Sequence, residues 1–160
     1  MRATFTKNVV SVRRTYPRAP QWLWGVIGDP RNLTTAVPML RDFEVIGEFG
    51  QGASLTEVHT IGGWPQKYLG RVTRYEAPVS WSMTSSPIHR FPWGLPHTVS
   101  YQVSPAPEGG EVSIRCSFRR QGLLRLLIPQ LVVRLVMKRA LDRILNHISR
   151  VAAVVNANEQ

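Results

Sequence analysis

Along residues 8–16 the chain alternates, with Val10, Val12 and Tyr16 on one side and Ser11, Arg13 and Thr15 on the other. A period of two rich in β-branched residues predicts a half-buried strand. Pro17 and Pro20 end it, and Pro20 suits the first turn of a helix, where its missing N–H has no intrahelical acceptor. Trp22, Leu23, Trp24, Val26 and Ile27 follow, and Gly28-Asp29-Pro30 stops that helix after about two turns. A second short helix is expected over residues 32–37, before Pro38. Six more strands are predicted at 42–49, 53–61, 66–76, 79–85, 97–104 and 111–119. Their separators are turn signals: Gly50-Gln51-Gly52, Gly62-Gly63, Ala77-Pro78, a longer loop over 86–96 that contains Trp93, and the stretch from Pro105 to Gly110.

From residue 123 to about 155 the period changes to 3.6. Met137, Leu141, Ile144, Leu145, Ile148, Val151 and Ala152 form an apolar stripe, with Lys138, Arg139, Asp142, Arg143, Asn146, His147 and Arg150 opposite. Pro129 is expected to bend or restart this helix near its beginning. Consecutive strands with short turns make an antiparallel meander. The fold class is therefore α+β: a seven-stranded curved antiparallel sheet wrapped around a long C-terminal helix, with two short helices after strand 1. It is read as a single domain over residues 1–160, with short disordered ends at 1–6 and 156–160. A gap between one helix and a concave sheet is a default ligand site.

Bulk properties narrow the function. The 160 residues fit one domain, and 43% apolar with 19% charged residues is a globular composition. One cysteine excludes an intramolecular disulfide and suits a reducing compartment. The first residues lack the apolar core of a signal peptide, and the stretch 123–137 is interrupted by Arg125, Pro129, Gln130 and Arg134, so no membrane span is expected. A cytoplasmic protein is the reading. The net charge of +10 attracts polyanions in general, but the basic residues, mostly Arg, are spread along the chain without a run of like charge. Nucleic acid is not the expected partner.

The order of elements and particular residues together resemble the START-related, Bet v 1-like superfamily, in the branch of polyketide cyclases, dehydrases and lipid transport proteins. The residues that carry the resemblance are Tyr16-Pro17-Arg18-Ala19-Pro20-Gln21-Trp22-Leu23-Trp24, then Ile27-Gly28-Asp29. The Gly50–Gly52 turn, the strand end at Val72 to Pro78, and a closing helix that begins Leu-Leu-x-Leu-Leu-Ile-Pro also fit. The resemblance covers nearly the whole chain. It implies a helix-grip fold and a cavity for lipids, sterols, polyketides or hormones, with no single activity attached.

Strand alternation turns Trp81 and Met83, Val99, Tyr101 and Val103, and Val112, Ile114, Cys116 and Phe118 toward the helix. The expected pocket wall is Trp24, Leu55, Trp81, Met83, Trp93, Val99, Val112, Ile114, Leu127, Leu131 and Leu135. Glu57 and His59 lie two apart on one strand and share a face. Either that face is concave, and a carboxylate and an imidazole meet a bound molecule as acid and base, or Val58 faces inward and both are solvated. Tyr68 and Tyr101 are further candidates, as donors to a ligand carbonyl. These four are the catalytic candidates of an enzyme reading. His59, His89 and His97 match no common metal-ligand spacing, so no metal and no cofactor is expected. A nucleophile elbow and a phosphate loop are both missing.

One segment breaks the pattern. Leu124, Ile128, Val132, Leu135 and Val136 fall on the side of the long helix that is charged further along. Three readings remain open: a break at Pro129 resets the phase, the segment is a dimer contact, or it is a greasy portal meeting an anionic membrane or a partner. The functional expectation is a carrier or sensor of a hydrophobic small molecule, monomeric or homodimeric. The alternatives are a polyketide cyclase or dehydratase working in the same cavity, and an interaction module using residues 123–137.

Overall fold

The computed structural model describes residues 8–37, 40–61, 63–89, 95–120 and 128–158. Strand β1 (Asn8–Tyr16) buries Val10, Val12 and Tyr16 as its alternation requires. Helix α1 (Pro20–Ile27) starts on Pro20 and buries Leu23 and Ile27. The residue at its end is glycine for a steric reason. A Cβ on Gly28 would stand 2.7 Å from the Trp24 ring, and its N–H donates to the Trp24 carbonyl at 2.7 Å. The next element is a 3-10 helix (Pro30–Ala36), two residues longer at its start than expected. Asp29 caps it, its Oδ1 accepting from the Arg31 backbone N–H at 2.9 Å.

Strands β2 (Leu40–Ile46), β3 (Ser54–Ile61), β4 (Trp64–Glu76), β5 (Ser80–Pro87), β6 (His97–Ala106) and β7 (Gly109–Phe118) follow. The β6–β7 pairing runs on to Ala106 and Gly109, so the connection that reads as six residues is a two-residue hairpin turn. The sheet order is β1-β7-β6-β5-β4-β3-β2, antiparallel throughout, with β1 and β2 at its edges. The register shifts between Val72 and Arg74 on β4 and between Leu40 and Asp42 on β2. An extra residue on one strand bends it and increases twist, which helps curl the sheet.

Helix α2 (Gln130–Asn158) lies across the concave side. It begins after Pro129, so that proline caps the described helix instead of kinking it. The Pro129 carbonyl accepts from the N–H groups of Val132 at 3.0 Å and Val133 at 3.4 Å. Val133, Leu141, Ile144, Leu145, Ile148 and Ala152 are buried, at successive spacings of eight, three, one, three and four. Each fully buried Leu or Ile side chain contributes roughly 1.5–3 kcal/mol. The helix is tied to the β1 edge by polar contacts: Tyr16 Oη donates to the Leu145 carbonyl at 2.8 Å, and the Arg14 guanidinium donates to Asn146 at 2.8 Å and Ser149 at 3.1 Å. Seated on β1, β7 and the 3-10 helix, α2 leaves the β3–β6 half of the concavity less filled.

Candidate functional site

A cavity of about 120 Å³ occupies that less-filled half. Its walls come from every layer. The 3-10 helix, the Val37 that follows it and β2 supply Pro30, Leu33, Val37, Leu40 and Phe43, the sheet supplies Trp81, Met83, Val99 and Cys116, and α2 supplies Met137, Ala140, Leu141 and Ile144. Trp81 is a rigid part of the wall. Its indole N–H donates to the Ile27 carbonyl at 2.7 Å, satisfying an orphan acceptor at the end of α1, and its ring stacks on Tyr101 with centroids 4.3 Å apart.

The floor is polar. On β3 the alternation puts Leu55, Glu57 and His59 on the concave face, which decides between the two faces left open by the sequence. Glu57 is 1% exposed. One carboxylate oxygen accepts from Ser85 Oγ at 2.7 Å, and the other stands 2.6 Å from His59 Nε2 and 4.0 Å from His97 Nε2. Ser85 is on β5, two strands from Glu57, and the strand between them carries Gly70. A Cβ there would lie 2.8 Å from Ser85 Oγ, 2.8 Å from Leu55 Cδ1 and 3.4 Å from Glu57 Oε1. The missing side chain is what lets the carboxylate cross over β4 to the hydroxyl.

The tautomers follow from the partners. His97 Nδ1 faces the Leu95 carbonyl oxygen at 2.9 Å, and a carbonyl only accepts, so Nδ1 carries the proton. Burial pushes His97 below its ordinary range, against the pull of the Glu57 carboxylate and the Leu95 hydrogen bond, so the ring is neutral. Its Nε2 is then a bare acceptor aimed toward the carboxylate. Burial alone would push the Glu57 carboxyl up, but the hydrogen bond from His59, the nearby imidazoles and the Ser85 hydroxyl hold it below the usual glutamate range. With His97 neutral, the hydrogen bonds from His59 and Ser85 do that holding. Tyr68 closes the cluster edge-on to both imidazoles, with centroids at 4.9 and 5.6 Å, and its hydroxyl accepts from the Leu95 N–H at 3.2 Å. Burial pushes both Tyr68 and Tyr101 above the ordinary phenol range, so they are donors or acceptors at neutral pH and not bases.

The sequence-predicted residues sort clearly. Glu57, His59, Tyr68, Tyr101, Trp81, Met83 and Val99 come together around the cavity. Leu55, Val112 and Ile114 are fully buried but outside its lining, in the packed core. Trp24 is half-buried against Tyr75, with ring centroids 6.0 Å apart, also away from the cavity. Leu131 and Leu135 are 66% and 47% exposed and do not line it. They sit two positions, about 200°, from the buried Val133 and the half-buried Met137. Trp93 and Leu127 lie outside the described residues. Ser85, Gly70 and the 3-10 helix wall were not among the candidates, and His97 entered only in a histidine set whose spacing matches no metal site. His97 and Ser85 share the alternation of Val99 with Tyr101 and of Trp81 with Met83, so the signal was present in the strand period.

A family model described as polyketide cyclase / dehydrase and lipid transport matches residues 7–153. The chain belongs to this family. Membership supports a domain that binds a hydrophobic molecule. Solved structures agree on the fold. A structure of TTHA0849 from Thermus thermophilus is similar at a TM-score of 0.71 and 18% identity, covering 92% of this chain and 99% of that one. The structure of Ara h 8.0201 gives 0.65 and 14%, again over 92% and 99%. The di-domain ARO/CYC StfQ of the steffimycin biosynthetic pathway gives 0.65 and 13%, over 90% of this chain and 49% of that one. No curated protein matches the sequence. No helix among the described residues is long and apolar enough to cross a membrane.

Proposed function

We propose that the chain binds a small apolar molecule, about one ring in size, whose hydroxyl or N–H group reaches the Glu57–His97 floor. The observation that carries this reading is an apolar cavity ending in two facing acceptors, a carboxylate and a bare imidazole nitrogen, 4.0 Å apart. A donor placed between them removes a repulsion that hydrocarbon cannot. Size supports the reading. An engineered cavity of about 150 Å³ accepts benzene, so about 120 Å³ takes a single ring with little to spare, and a multi-ring polyketide has to displace the walls. The role fits a carrier or sensor.

Native mass spectrometry of protein purified without denaturant tests it. A small molecule retained by the wild type and absent from Ala140→Phe, which fills the cavity from the helix side, supports the reading. Equal retention by both contradicts it.

A second reading is proton-transfer chemistry of the cyclase or dehydratase kind. The convergence of Glu57, His59 and Tyr68 favours it, because an ionised carboxylate beside an imidazole can take a proton next to a carbonyl and pass it on. Here Glu57→Gln keeps ligand retention but abolishes turnover of a poly-β-keto thioester probe. Retained turnover in that variant excludes Glu57 as the base.

A further inference from the structure

The same floor holds a second possibility that hydrogen bonding alone does not use. Glu57, His59 and His97 each present one ligand atom, and these three atoms lie within 4.8 Å of one another. We propose that Glu57, His59 and His97 form a three-ligand site for a divalent first-row transition-metal ion, open on the cavity side.

The geometry is close to what such an ion needs. Tetrahedral ligands about 2.1 Å from an ion stand roughly 3.4 Å apart. The carboxylate and His59 stand closer than this, at 2.6 Å, and the carboxylate and His97 farther, at 4.0 Å. Loading the ion requires these atoms, all within 4.8 Å of one another, to adjust toward that spacing. Two imidazoles and one carboxylate are a donor set suited to Zn²⁺, Fe²⁺, Co²⁺ or Ni²⁺.

The surroundings are those of a supported site. The outer nitrogen of His97 is held by the Leu95 carbonyl, which leaves Nε2 as the ligand atom and fixes the ring plane. The second oxygen of Glu57 is held by Ser85, across the space that Gly70 leaves. His59 donates its Nε2 proton to the carboxylate, so ligation through Nε2 requires the tautomer that carries the proton on Nδ1. Apolar walls close one side, and the remaining coordination position faces the cavity. The fold brings together β3 and β6, and the ligand spacing of 2 and 38 residues has no signature as a linear motif. His89, which the sequence groups with the other two, is exposed and outside the set; Glu57 takes its place.

The proposal does not rest on the apolar ligand, because the probe is the ion alone. The untagged, chelator-treated chain of 160 residues is titrated with Zn²⁺ against a chromophoric chelator, and with Co²⁺ by visible absorption. One equivalent bound, with the absorption of a low-symmetry Co²⁺ site, is expected. His97→Ala and His59→Ala weaken binding by about 100-fold or more, Ser85→Ala by about 10-fold, and His89→Ala leaves it unchanged. Circular dichroism confirms that each variant is folded, and His97→Gln replaces any variant that is not. Binding of less than one equivalent, or binding that His97→Ala and His97→Gln leave intact, overturns the proposal. Ligand retention in metal-free wild type is scored separately, so either claim can fail alone.

Discussion

At the scale of single residues, the site depends on an absence. Gly70 has no side chain, and the Glu57–Ser85 hydrogen bond passes through the space this leaves. Gly70→Ala introduces a methyl group 2.8 Å from two neighbours, one of them Ser85 Oγ. Its expected cost is about 1–3 kcal/mol of stability, read by urea denaturation, together with loss of ligand retention. A variant as stable as the wild type would mean that the strand adjusts freely there. Cys116 gives a second residue-scale test. Burial pushes its thiol up to about 12, so it stays unreactive toward a thiol reagent at pH 8 until the protein unfolds. Fast labelling of native protein would contradict its placement in the wall. Asp29 gives a pH test. Burial tends to raise its carboxyl, but the Arg31 side chain and backbone N–H hold it below the usual aspartate range. A carboxyl with a depressed folded pKa stabilises above its unfolded value, about 3.9, and loses that contribution as pH falls through the folded value. The gap in melting temperature between wild type and Asp29→Ala should therefore be full at pH 6 and shrink below about pH 4. A constant gap would remove the electrostatic part of the explanation.

At the scale of elements, the strands and the long helix were largely legible because their periods are clean. The alternation in β1, β5, β6 and β7 carries through from sequence to burial. What was not legible is which core residues border a void. Val112, Ile114 and Val99 are alike in type and alternation, but of the three only Val99 lines the space that the footprint of α2 leaves. That footprint is set by long-range contacts such as Tyr16 to Leu145 and Arg14 to Asn146. Likewise Leu131 and Leu135 read as pocket lining because the segment is apolar all round, and phase alone places them outward. Tyr16→Phe tests the tie between edge strand and helix. Removing the hydroxyl leaves the Tyr16 position apolar and costs about 1 kcal/mol by urea denaturation. No change in stability would mean that packing alone seats the helix.

At the scale of the molecule, the chain is a sheet that closes on a helix without filling the space between them. The floor of that space combines a buried, ionised carboxylate with two imidazoles from different strands. Sequence reading reached Glu57 and His59 because they sit two apart on one strand. His97 stood in the sequence only as part of a histidine set of unmatched spacing, because its approach to Glu57 depends on three hairpins placing β6 two strands beyond β4. The most direct measurement is a long-range ¹H–¹⁵N spectrum of the four histidine side chains in metal-free protein during titration with p-cresol, a single ring carrying one hydroxyl donor. His97 is predicted to start as the neutral tautomer protonated at Nδ1, and His59 and His97 to shift saturably while His89 and His147 stay in place. Signals of His59 and His97 that do not move at saturating p-cresol, or shifts confined to His89 and His147, would contradict a ligand site on this floor.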